Sequence, residues 1–134
     1  MAAVVVGFVP KPEGEAALTA AITEVRRSGG RLVVANTHRR DEGDPGWIAK
    51  TEAELAAARE RLDAAGIEYT VYQDLTDEEV DAADELIQVA RDEQADLIVI
   101  GIRRRSATGK LILGSQAQRI LLDAPCPVLA VKPS

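Results

Sequence analysis

The sequence predicts one domain, residues 1–134, folded as a three-layer α/β/α sandwich around a five-stranded parallel sheet. Two observations carry that reading. Five short apolar runs alternate with longer segments of helical period, the β-α-β-α-β-α-β-α-β order that right-handed crossovers turn into a parallel sheet with helices on both sides. Several of the runs are also near-continuous Val, Ile, Leu and Ala without polar alternation, as expected of strands covered on both faces.

The elements follow in order. The runs are Ala3–Val9, Leu32–Thr37, Ile67–Tyr72, Leu97–Gly101 and Val128–Lys132, and the first, fourth and fifth are the continuous ones. Between the first two, Glu13–Ser28 sets Ala17, Ala21, Ile22 and Val25 on one stripe and stops at Gly29-Gly30, a helix C-cap. A second stripe of Ile48, Leu55, Ala58, Leu62 and Ala65 is closed by Gly66. The third helix opens at Thr76-Asp77-Glu78-Glu79, a capping-box pattern, and buries Val80, Ala83, Ile87 and Ala90. A fourth follows Gly114-Ser115, turns Ala117, Ile120 and Leu121 inward and ends before Pro125. No linker, repeat or low-complexity stretch interrupts the chain.

Composition narrows the function. Hydrophobic residues make up 46% and charged residues 28%, the balance of an ordinary globule. Aromatic residues are only 3%, which leaves no stacking platform for single-stranded nucleic acid. Net charge is −6 but uneven. Residues 1–100 carry 10 basic against 21 acidic side chains, whereas residues 101–134 carry six basic residues against Asp123 alone. An acidic body repels a nucleic-acid backbone, while a local basic patch suits a small anion. The lone Cys126 excludes an internal disulfide and fits a reducing compartment. The first residues lack the charged start and the apolar length of a signal peptide, and no stretch has the length of a membrane span. A cytoplasmic protein without membrane or nucleic-acid partners is therefore expected.

The loop after the fourth strand carries the chemistry. In such sheets ligands bind at the carboxyl ends of the strands, where the winding direction switches. There Gly101 and Gly114 let a ligand approach backbone without a Cβ in the way, and Gly114-Ser115 opens a helix whose free N–H groups favour an anion. Arg103, Arg104, Arg105 and Lys110 add positive charge, and Ser115 adds a hydroxyl donor. The piece Ala107-Thr108-Gly109-Lys110 is not a Walker A loop, because Arg104 stands where its first glycine belongs and Leu111 where its Ser or Thr belongs. No dinucleotide fingerprint follows any strand.

Gly101, Gly114 and Ser115, at the spacing G-x2-G-x9-G-[S/T], resemble the signature of the universal stress protein family. The segment Ala95–Gly101 and the proline-flanked ending Ala124–Lys132 resemble it too, and the likeness spans essentially the whole chain. The resemblance implies a Rossmann-like sheet in the order 3-2-1-4-5 and a stress-response module that binds ATP or another adenine nucleotide, with or without Mg. It further implies phosphate and ribose on Gly101, Gly114, Ser115 and Gln116, with Arg103 beside them, and adenine on the backbone of Thr37. It also implies a homodimer through Val128–Lys132. Two positions depart from the pattern. Arg104 replaces the second signature glycine and either fills the phosphate site or adds a charge to it. Val9 replaces the acidic residue that nucleotide-binding members carry at the end of the first strand. Both also fit an alternative reading, a dimeric interaction protein of the same family whose pocket takes no nucleotide.

Other candidates read more simply as structure. The arginine run could be a solvated turn, and Gly114-Ser115 a plain N-cap. His38 follows the second strand without a nucleophile or carboxylate at readable spacing. Cys126 reads as a packed thiol, the acidic residues 74–85 as a helix start, and Trp47 as packing at the head of the second helix. No general base, metal constellation or nucleophile is visible, so any turnover is expected to be slow.

Overall fold

The protein is described by a computed structural model, in which residues 2–36, 45–72, 81–103 and 113–133 are described. The elements are β1 (Ala3–Phe8), α1 (Pro12–Ser28), β2 (Arg31–Asn36), α2 (Trp47–Ala65), β3 (Glu68–Tyr72), α3 (Ala82–Asp92), β4 (Leu97–Gly101), α4 (Ser115–Asp123) and β5 (Val128–Val131). All five strands are parallel and lie in the order β3-β2-β1-β4-β5. This is the Rossmann-like three-layer architecture expected from the sequence.

Alternation along the strands divides the core. Val4, Val6 and Phe8 of β1, with Leu32, Val34 and Val99, pack against α1 and α2 through Leu18, Val25, Leu55 and Leu62. Val5, Val33, Ala35, Ile98 and Ile100 face the other way, against Leu86, Val89 and Ala90 of α3 and Ile120 of α4. Both faces of the central strands are therefore apolar, and that is why β1 and β4 read as unbroken hydrophobic runs. Helices α1 and α2 stop at Gly29 and Gly66, both left-handed with φ of +71° and +68°, as their C-caps require.

The differences from expectation lie at the periphery. Ile48 shares a helical stripe with Leu55 and Leu62 but is 55% exposed, because burial on α2 starts one turn later, at Thr51. Periodicity identifies the face of a helix, not how far along it the sheet extends. On α4 the inward stripe is Ala117, Ile120 and Ala124; Leu121, about 100° further round, is exposed at 40%. The fifth run is covered on both faces only in part: Val128 and Ala130 pack on one face and Val131 on the other, where Leu129 is exposed. Helix α3 begins at Ala82 with Asp81 extended, later than the capping-box pattern suggests; Thr76–Glu79 and Val80 lie outside the described residues.

Candidate functional site

At the end of β1 the chain folds back sharply, and the Val9 carbonyl accepts the Lys11 N–H at 2.8 Å. Lys11 is the extended N-cap of α1 (φ −138°, ψ 164°), and Pro12 takes the first helical position, where a missing N–H costs nothing. Two glycines then allow α1 to sit tight on the sheet. A Cβ at Gly14 would lie 1.7 Å from the Val9 carbonyl oxygen, and one at Gly101 would lie 2.1 Å from the Glu13 carbonyl oxygen. The head of α1 is thus wedged between the carboxyl ends of β1 and β4.

Beyond β4 the ladder continues for one more bond, Ile102 N–H to the Val131 carbonyl at 2.8 Å, before exposed Arg103. Helix α4 opens from Gly114, an extended N-cap (φ −66°, ψ 163°) that has no side chain of its own to cap the first N–H groups. Helix α3 opens beside it from Asp81, whose own carboxylate caps nothing; instead Gln116 of α4 accepts the Ala83 N–H at 3.0 Å. Arg119 binds this junction through Asp81 at 3.3 Å and Asp84 at 3.0 Å. At its far end α3 is anchored by an ion pair between Arg31 and Glu93 at 2.8 Å, with the Tyr72 hydroxyl on the same carboxylate. Tyr72 and Arg31 hold the Glu93 carboxyl below its ordinary range, and the same contact, with some burial, pushes the Tyr72 phenol up.

The heads of α1, α3 and α4 consequently meet around one cavity of about 250 Å³. Lys11 and Glu13 come from α1, Ala82, Ala83 and Leu86 from α3, and Gly114, Gln116 and Ala117 from α4. The strand ends add Gly7, Val9, Gly101 and Arg103. Helix starts carry partial positive charge on their unpaired N–H groups; the Ala83 N–H of α3 is taken by Gln116, but three such starts lining one space still favour an anion. The apolar part of the wall (Val9, Leu86, Ile100, Ile120) suits a flat or aliphatic portion of the same ligand.

Of the residues singled out by sequence, Val9, Gly101, Arg103, Gly114 and Gln116 line this cavity. Ser115 is exposed at the first position of α4 and is not part of the wall. Thr37, Arg104, Arg105, Lys110 and His38 lie outside the described residues. The bare side of Gly101 admits the backbone of Glu13 at the head of α1. Lys11, Glu13 and the α3 residues were not anticipated. The prolines either side of Lys11 were the available signal, since they mark a helix start at the carboxyl end of a parallel strand. Cys126 is half-buried, and burial together with the Asp96 charge pushes its thiol up, which suppresses the reactive thiolate. Among the described residues no group of three or more His, Cys, Asp or Glu is placed to hold a metal. Nor is any described helix long and apolar enough to cross a membrane.

Comparison with known proteins agrees with this geometry. The universal stress protein family model matches residues 1–132. A universal stress protein of Mycolicibacterium smegmatis is 39% identical over 130 residues, covering 97% of each chain. The structure of a universal stress protein from Archaeoglobus fulgidus is 30% identical, covers 98% of both chains and superposes with a TM-score of 0.79. A second structure from the same organism, solved in complex with dAMP, is 24% identical with 98% of each chain covered and a TM-score of 0.72. On the family match across nearly its full length, together with its strand order, this chain belongs to the universal stress protein family.

Proposed function

We propose that this chain is a stress-response module that binds an adenine nucleotide in the cavity between β1 and β4, with phosphate at the heads of α3 and α4. The observation that carries the reading is the convergence of three helix N-termini on one cavity whose wall also holds Lys11 and Arg103. Backbone N–H groups at helix starts take phosphate oxygens, and the two cations add long-range attraction. The bound dAMP of the Archaeoglobus relative supports an adenine nucleotide as the ligand class. Val9 adds no carboxylate at the end of β1, so among the described residues Glu13 is the one acidic side chain in the wall, and base recognition otherwise draws on backbone groups and apolar contact. The function is binding, with a state that differs between the empty and occupied protein.

The edge strand β5, with Leu129 exposed, supports a homodimer formed through Val128–Lys132. A free, half-buried thiol supports a reducing, cytoplasmic setting.

Titration calorimetry with ATP, ADP and AMP tests the nucleotide reading. Saturable binding, weakened by raised salt and several-fold by Arg103→Ala, is expected. Absence of binding at millimolar nucleotide would sink it and leave the dimeric interaction protein as the surviving reading. That alternative draws on Val9 and Arg104, the two positions that depart from the nucleotide-binding pattern.

A further inference from the structure

The Asp81–Ala83–Gln116 junction has one acceptor too many. Asp81 occupies the N-cap of α3 with the extended backbone that position requires (φ −65°, ψ 137°). An aspartate there ordinarily accepts the N–H two or three residues on. Here the N–H two residues on, Ala83, donates to Gln116 of the neighbouring helix at 3.0 Å. The Asp81 carboxylate turns aside, with Oδ2 accepting from Arg119 at 3.3 Å. Its Oδ1 is shielded from solvent and has no hydrogen-bond partner among the described residues. An unsatisfied, shielded acceptor two residues before a donor that its position ordinarily caps is a feature that calls for an explanation. Arg119 does not prevent such a cap, since Asp84 at 3.0 Å keeps it paired. Gln116 is the only amide side chain in the described cavity wall.

We propose that Asp81 is a positioning residue for the cavity: when a nucleotide engages Gln116, Asp81 takes over the cap on Ala83. Binding is thereby coupled to the contact between α3 and α4. This rests on the nucleotide reading above, and one arm of its test does not.

The first arm uses nucleotide-free protein. Asp81→Ala and Gln116→Ala should each be mild in thermal unfolding, because either residue can cap Ala83 alone. The double variant should lose about 3 °C more than the sum, the effect of one missing N-cap in a domain of this size. Additive losses would overturn the exchange. The second arm is AMP titration. Asp81→Ala should weaken binding about fivefold, the same cap expressed as affinity. Asp81→Asn should bind as tightly as the parent or tighter, since asparagine caps as well and releases Arg119. A residue that served only as the Arg119 ion-pair partner would make the two variants behave alike, and that outcome would overturn the proposal. So would a Ala83 amide resonance that does not move on saturation. If the parent binds no AMP while the first arm succeeds, the cap exchange stands and its coupling to nucleotide falls with the reading it rests on.

Discussion

Replacing Gly101 by alanine separates two explanations of the same glycine. If Gly101 exists to admit a ligand, Gly101→Ala should reduce affinity and leave folding intact. If it exists to admit the head of α1, the added methyl carbon meets the Glu13 carbonyl oxygen at 2.1 Å and the carbonyl carbon at 2.5 Å. Ordinary contact begins near 3.4 Å, so α1 must retreat by about 1.3 Å from a strand it is packed against. Neither partner yields easily, because both obstructing atoms are backbone and the Ala17, Leu18 and Ala21 contacts behind them are fully buried. Overpacking of this kind costs about 2–3 kcal/mol. In a domain of this length that corresponds to a midpoint lowered by roughly 8–10 °C. Thermal unfolding by circular dichroism, with nucleotide titration on the same sample, reads both quantities. A midpoint within about 2 °C of the parent, with affinity lost, would refute the packing argument. A fall in both is the expected result, since moving the head of α1 also moves Lys11.

Other outcomes follow from the same contacts. Glu93 is held below its ordinary pKa, so its contribution to stability is present above the unfolded value, about 4.3, and is lost as pH falls through the depressed folded value. Unfolding midpoints measured from pH 7 to pH 3 should therefore fall below about pH 4.5, and less steeply in Glu93→Gln. Tyr72 shifts the other way, so its share is present below about pH 10 and is lost as pH rises through the raised folded value; Tyr72→Phe should flatten that alkaline loss. Cys126 should alkylate with iodoacetamide several-fold more slowly than free cysteine at pH 8 and reach the free rate only in denaturant. If the proposed homodimer forms through β5, Leu129→Lys should leave a monomer by light scattering while changing the monomer's stability by less than about 0.5 kcal/mol; a dimer that persists would remove β5 from the interface.

The centre of this fold is legible because it is redundant in the sequence. Val4–Val6, Leu32–Ala35 and Ile98–Ile100 are apolar at consecutive positions because each strand is covered on both faces. Gly29 and Gly66 mark helix ends because the left-handed turn there suits glycine. At the rim these signals fade. Leu121 and Leu122 continue the apolar content of α4, yet only the stripe through Ile120 reaches the core, because that face alone turns toward the sheet and α3. The fifth strand reads like a central one for the same reason: residue type records that a strand is apolar and not whether another strand follows it. The strand order, which makes β5 an edge, depends on pairings between segments dozens of residues apart.

The site divides along the same physical line. Gly101 and Gly114 stand out in the sequence because a glycine beside a helix start is a local feature, complete within a few residues. The contribution of α1 is not local. Gly14 and Gly101 are far apart in the chain, and each is glycine because a backbone carbonyl passes where its side chain would be: Val9 for one, Glu13 for the other. Those two close approaches bring the head of α1, with Lys11 at its cap, up to the ends of β1 and β4. Without them the cavity would have two helix starts instead of three and would lose a cation from its wall. Part of the proposed anion-binding field is therefore encoded at Gly14, a position outside the described cavity wall that a motif search at the loop after β4 passes over.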